Sequence, residues 1–281
     1  MIIPARRLLL CTDMDRTLIP NGSAVESRFA RQRFTDFITV PEVTLVYVTG
    51  RDRQRVTQAM ADYDLPLPDY AITDVGTRIY KIKNREWQEL QDWTQQIGND
   101  WQGKSVMDIQ NFLTDIGGLR LQESEKQNKH KLSYYVDLTH DKLKILEAVN
   151  VLLRQSGIAA NIIWSIDDEM NLGLLDILPK SANKLHAVTF LQRQLHYKPG
   201  ETLFAGDSGN DLDVMGSIIP SVLVANASDE IREVARKLAY DAGNSASLYC
   251  ANGQYVGMNG NYAAGILEGV WHFYAEYRDS L

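Results

Sequence analysis

Apolar residues run without interruption over 8–11 and stop at Thr12-Asp13-Met14-Asp15. Consecutive rather than alternating apolar positions suit a strand covered on both faces, as in a parallel sheet. The same signature returns over 43–48, ending at Thr49-Gly50-Arg51, and over 70–73, ending at Asp74. It returns again over 202–205, which runs into Gly206-Asp207, and over 221–225. Segments of helical period separate these runs. One covers 25–38, with Phe29, Phe34, Phe37 and Ile38 at its apolar positions, and others cover 54–62, 184–195 and 229–238. Strand–helix alternation of this kind predicts an α/β fold with a doubly wound, Rossmann-like parallel sheet.

From about 77 to 179 the pattern changes. Residues 131–137 read as a half-solvated strand with 119–122 as its partner, and 161–166 as another strand. A helix over 141–154 ends before Gly157, and one or two more are expected between Trp87 and Ile116. Half-solvated antiparallel strands with helices on one face describe a small α+β insert. The expected division is a core of 1–76 and 180–281 with a cap domain of 77–179 placed inside it. A last helix starts near 262, where Ala263, Ala264 and Gly265 predict close packing on the core.

Composition narrows the function. A chain of 281 residues, 44% hydrophobic and 23% charged, has material for a proper core. Its net charge of -7 argues against nucleic acid as the main partner. Cys11 and Cys250 make no disulfide framework. Arg6 and Arg7 precede an apolar run, but that run is too short for a signal peptide and is broken by Asp13 and Asp15. No stretch reaches transmembrane length. A soluble, reducing, cytoplasmic setting is expected.

The polar residues at the strand exits carry the chemistry. Asp13 and Asp15, Thr49 and Arg51, Lys184 at a helix start, and Asp207, Asn210 and Asp211 would converge on one crevice at the carboxyl ends of the strands. Carboxylates crowded together raise one another's proton affinity, and a divalent cation relieves this. Hard oxygen donors without a His/Cys cluster favour magnesium, with Asp13, Asp15 and Asp207 as ligands and Asp211 either a ligand or behind one. Metal, lysine, hydroxyl and a spare carboxylate suit phosphoryl transfer. Asp13 would attack phosphorus, and Asp15, on the same strand face, would protonate the leaving oxygen and later deprotonate water. Thr49 and Lys184 would hold the phosphoryl oxygens.

The order DMDRT, VTGR, the lysine of SANK, and GDSGND resembles the four motifs of the haloacid dehalogenase superfamily, and the insert resembles the cap of its sugar-phosphatase branch. Asp69-Tyr70, Val75-Gly76, Ile79-Tyr80, Gln127-Asn128, 131–134, 176–179 and 264–268 resemble landmarks of the sucrose-phosphate phosphatases. The resemblance implies Asp13 as nucleophile, Asp15 as acid/base, Thr49 and Lys184 as phosphate holders, and Asp207 with Asp211 as magnesium acids. It also implies a sugar phosphate substrate, sucrose 6-phosphate first, and sucrose biosynthesis as the setting. Arg16 departs from the pattern, which often has glycine there; it either assists phosphate binding or points to solvent.

Gly50, Arg51 and Asn210 on the core side, and Gln127, Asn128 and Lys131 in the cap, are the candidates for substrate contact. Gln127 and Lys131 would equally suit a solvated strand edge. Three rivals remain. They are a phosphatase for another glycosyl sugar phosphate such as mannosylfructose phosphate, a non-catalytic regulatory partner of a sugar-phosphate synthase, and a receiver domain; for the enzyme itself a sucrose-phosphate synthase is the candidate protein partner. The intact acids speak against the second and the large insert against the third.

Overall fold

The structure, a computed structural model, describes residues 7–167 and 170–280; Arg6, one of the two arginines ahead of the first apolar run, lies outside them. In chain order the elements begin with β1 (Leu8–Thr12), α1 (Ala30–Phe37), β2 (Val43–Val48), α2 (Arg53–Asp62), β3 (Tyr70–Thr73), β4 (Arg78–Lys83) and β5 (Glu86–Glu89). Next come α3 (Gln91–Gly98), α4 (Val106–Phe112), β6 (Leu119–Leu121), β7 (Leu132–Asp137), α5 (Lys142–Gln155), β8 (Ala160–Asp167) and β9 (Leu172–Pro179). The last are α6 (Lys184–Gln194), β10 (Thr202–Gly206), α7 (Leu212–Met215), β11 (Ser221–Leu223), α8 (Asp229–Asp241), β12 (Leu248–Cys250) and α9 (Ala263–Phe273).

Two compact units result. Among the described residues the first comprises 7–76, 80–89 and 184–280, and the second 77–79 and 90–183. The first carries an eight-stranded sheet in the order β12-β11-β10-β1-β2-β3-β4-β5. The strands from β12 to β3 pair in parallel, and β4 and β5 form an antiparallel hairpin. Every side chain of β1 is buried, which is why its apolar residues stand on consecutive positions. β1 lies between β2 and β10, where the chain's winding changes direction, and loops leaving such a point leave a crevice between them.

Residues 80–89, expected in the insert, instead extend the large sheet: Tyr80 pairs with Glu89 and Ile82 with Trp87. An edge hairpin alternates buried and exposed positions just as a half-solvated insert does, so the pattern alone does not separate them. At the other junction, residues 180–183 fall in the second unit. There the Ser181 amide and hydroxyl both donate to Asp100 Oδ2 at 2.6 Å.

The helix expected over 25–38 is also shorter. It starts at Ala30, after Phe29 in a left-handed conformation (φ 64). Tyr262 Oη donates to the Ala24 carbonyl, and Asn259 and Asn261 donate to the Val25 carbonyl at 2.8 and 3.0 Å. These distant side chains satisfy acceptors that a helix would have satisfied internally, so the loop competes successfully. β12, too short to stand out in the sequence, closes the far edge of the sheet.

α9 is buried on every side from Ala263 to Val270, including Glu268. Glu268 is satisfied there by Tyr249 Oη (2.7 Å) and by the amides of Asn252 (2.9 Å) and Gly253 (3.0 Å). The helix approaches the sheet closely because its glycines allow it. A Cβ at Gly265 would stand 2.2 Å from the Gly260 carbonyl oxygen and 2.9 Å from Val224 Cγ1. We expect Gly265→Ala to lose about 1–3 kcal/mol of stability, the usual cost of overpacking, read as a lower urea midpoint at unchanged slope. An unchanged midpoint would mean that this helix does not pack as described.

The second unit is an antiparallel sheet in the order β6-β7-β9-β8. Leu132, Tyr134 and Val136 alternate along β7 and pack with Trp101, Ile109, Ile145 and Val149 from the helical segments. Among the described residues no disulfide forms, and no helix is long and apolar enough to cross a membrane.

Candidate active site

β1 ends in Asp13, β2 in Thr49 and β10 in Asp207, three adjacent parallel strands ending side by side. The Asp13 amide donates to the Ala205 carbonyl at 2.9 Å, which carries the β1–β10 ladder into the site itself. Asp13, Asp207 and Asp211 each offer an oxygen, and these three lie within 4.8 Å of one another. Lys184, 1% exposed, stands 3.0 Å from Asp13 Oδ1 and 2.7 Å from Asp211 Oδ1.

The loop after β10 holds its own shape. Asp211 Oδ2 accepts from the amides of Asp207 (3.1 Å) and Ser208 (3.0 Å) and from Ser208 Oγ (3.2 Å). Gly206 makes room for this, since a Cβ there would sit 2.5 Å from the Asp211 carboxyl carbon. Both Asp211 oxygens are therefore engaged. Asp13, by contrast, accepts from Lys184 alone among the described residues. Asp207 accepts from Thr17 Oγ1 at 3.1 Å and lies 3.3 Å from Arg16 Nε.

Burial pushes the Asp13 carboxyl up to about 7; Lys184 opposes this while Asp211 and Asp207 add to it. Burial, followed by Asp211, likewise pushes Asp207 up to about 6. Burial alone would lower Lys184, yet the two carboxylates beside it hold its ammonium above the ordinary lysine range. A site whose acids resist ionisation is one where a dication would be welcome. The donors are hard oxygens at mutual spacing suited to one small cation, so the residues fit magnesium. Asp13, Asp207 and Asp211 are the residues that could hold it; Asp207 shares its two oxygens with Thr17 and Arg16, and Asp211 also orients the loop.

Asp15 is held elsewhere. Arg51 Nε and Nη2 fork onto its two oxygens at 2.8 and 2.6 Å, and Asn21 Nδ2 donates to it at 2.7 Å. Burial would raise its pKa, but these donors hold the carboxyl below its ordinary value. Its side chain does not join the acid cluster expected to bind metal. Asp13, Asp15, Gly50, Arg51, Asp207 and Asn210 line one cavity of about 220 Å³, to which Arg16, Arg55 and Ser208 also contribute. Thr49 is buried and uses Oγ1 to accept the Arg51 amide at 3.1 Å.

The three cap candidates lie within the second unit. Gln127 donates to the carbonyls of Gln122 and Ser133 and accepts the Ser133 amide, so its amide fastens the turn before β7. Asn128 donates to Thr77 Oγ1 at 3.1 Å and accepts the His130 amide at 2.8 Å. Lys131 Nζ stands 3.7 Å from Asp176 Oδ1, which also accepts from Ser133 Oγ. Both amides are half-buried and committed to local structure, Gln127 therefore less free than a plain edge residue would be.

Sequence reasoning passed over Thr17 and Ser208. For Ser208 a signal existed, because Ser-x-x-Asp is the spacing of a capping box. Nothing in the sequence pointed to Arg55.

Over residues 6–274 the chain matches the family described as sucrose-6F-phosphate phosphohydrolase. The chain belongs to that family. It is thus a haloacid dehalogenase-type phosphatase. A protein of Nitrosococcus oceani, named only at the level of a HAD-like hydrolase, is 47% identical over 97% of this chain and 73% of its own length. The mannosylfructose-phosphate phosphatase of Agrobacterium fabrum is 29% identical over 94% of this chain and 96% of its own. Among solved structures, the sucrose-phosphatase of Synechocystis sp. PCC6803, in complex with sucrose and phosphate, is 27% identical. It superposes with a TM-score of 0.72 and covers 95% of this chain and 98% of that one.

Proposed function

We propose that this phosphatase hydrolyses the phosphate ester of a disaccharide, sucrose 6-phosphate before others, through an aspartyl phosphate on Asp13 with magnesium beside it. The observation that supports this most is the meeting of Asp13, Asp207 and Asp211 within 4.8 Å, with Lys184 bridging two of them. Asp13 attacks phosphorus and the ester bond to the sugar oxygen breaks; that oxygen takes a proton delivered by Asp15. Asp15 then removes a proton from water, which displaces phosphate and restores the Asp13 carboxylate. For Asp15 to carry that proton its fork with Arg51 must loosen, and arriving phosphate oxygens offer Arg51 an alternative partner. When bound, magnesium offsets the negative charge of the phosphoryl oxygens. Lys184 favours the ionised form of Asp13 and aims it. Thr49 orders the turn that presents Gly50 and Arg51 to the cavity.

Sucrose is favoured by the family and by the Synechocystis relative, whose structure contains sucrose and phosphate. The Agrobacterium relative supports mannosylfructose phosphate as a second reading. Phosphate release from both esters and from glucose 6-phosphate, with magnesium and with chelator, tests both. We expect kcat/KM for sucrose 6-phosphate to exceed that for the other two by at least about tenfold, with activity lost on chelation. A reversed order between the disaccharides would install the second reading. Release that persists in chelator would remove magnesium, and no release from any ester would remove the phosphatase mechanism.

A further inference from the structure

Arg16 occupies a left-handed backbone position (φ 55), a conformation that favours glycine. Two amides pin it there. Its own N–H donates to Asn21 Oδ1 at 2.8 Å, and Asn226 Nδ2 donates to its carbonyl at 2.6 Å. Its aliphatic stem lies over Gly22, where a Cβ would meet Arg16 Cδ at 3.4 Å and Cγ at 3.5 Å. The stem leads Nε to within 3.3 Å of Asp207 Oδ2, while Thr17 takes Oδ1. A strained residue, held at both ends of its peptide and given a glycine to lie against, is placed rather than loose.

Arg16 lines the same cavity as Asp13, with 59% of its side chain exposed. Nη1 and Nη2 have no hydrogen-bond partner among the described residues. Arg51, on the same wall, spends Nε and Nη2 on Asp15 and can turn to phosphate only by giving up that fork, whereas Arg16 has nothing to give up at Nη1 and Nη2. Three carboxylates face one ammonium in this site, so a phosphate dianion arriving there meets an excess of negative charge. A guanidinium with two donors to spare matches phosphate geometry and charge.

We propose that Arg16 is a further binding residue for the transferring phosphate, anchored through Nε on Asp207 and offering Nη1 and Nη2 to the phosphoryl oxygens. The inference rests on the reading of this cavity as a phosphoryl-transfer site. Calorimetric titration of inorganic phosphate into magnesium-loaded wild type, Arg16→Gln and Arg16→Lys tests it, alongside magnesium titration of each protein without phosphate.

Arg16→Gln should weaken phosphate binding roughly ten- to a hundredfold, with Arg16→Lys between, because lysine keeps the charge without the fork. Magnesium affinity should hold or tighten, since a competing cation leaves Asp207. Arg16→Gly should unfold no earlier than wild type, because glycine suits φ 55 without strain. Phosphate affinity in Arg16→Gln within roughly twofold of wild type would overturn the proposal. So would a matching loss of magnesium affinity, which would make Arg16 a positioning residue for Asp207. A wild type that binds no phosphate at all would overturn the reading of the cavity itself, and Arg16 with it.

Discussion

Asp13→Asn yields a folded protein whose turnover is lower by roughly 10⁴-fold or more, the scale seen when a covalent nucleophile is removed. The substitution is close to isosteric and sits at the end of a strand whose ladder continues through the Asp13 amide, so the backbone has no reason to move. Stability is expected to respond in the opposite direction from activity. Burial holds the Asp13 carboxyl near 7, well above its ordinary value of 3.8. A group that binds its proton more tightly when folded stabilises the fold fully below the unfolded value, and that stability is lost as pH rises through the folded one. Metal-free wild type should therefore weaken between about pH 4 and pH 7, and Asp207, held near 6, adds a slope of the same sign. Asp13→Asn, uncharged throughout, should flatten that decline and be the more stable protein at pH 8 in chelator. Urea denaturation at pH 5 and pH 8 measures it. Turnover near the wild-type level, or an unaltered pH slope, would contradict the role given to this carboxylate.

The second large effect falls on Lys184. Its ammonium is buried between two carboxylates at 3.0 and 2.7 Å, with 1% of the residue exposed to solvent. Removing one partner of a buried ion pair leaves an uncompensated charge, and Lys184→Met should cost about 3–5 kcal/mol at pH 8. The methionine fills much of the space, so the loss is electrostatic rather than a cavity effect. It should shrink at pH 5, where Asp13 takes a proton and no longer needs a counter-charge. A loss that is the same at both pH values would point to packing instead. Phosphatase activity should disappear with it, because Asp13 without its cation is a protonated and poorly aimed nucleophile.

Much of this site was legible before any coordinates. Strands buried on both faces announce themselves by consecutive apolar residues, so β1, β2 and β10 and the acids at their ends were read directly. What could not be read was how each polar group spends its hydrogen bonds. That Arg51 would fork onto Asp15, or that Asp211 would turn inward to its own loop, depends on side chains distant or folded back in sequence. Gln127 and Asn128 look like substrate amides in a one-dimensional pattern and are committed to a turn in three dimensions. The β4–β5 hairpin falls inside the span expected for the insert because alternation reports solvent on one face and not which sheet a strand joins. The helix expected over 25–38 is longer than the observed one because the rival donors, Asn259, Asn261 and Tyr262, come from more than two hundred residues away.

The loop after β10 is fastened by its own aspartate. Three donors converge on one oxygen of Asp211 and an ammonium takes the other, so nothing in that turn waits for a cation to give it form. A protein stripped of metal should thus keep a ready-made berth. Reloading would then be a matter of diffusion and ligand exchange, with no refolding step to slow it.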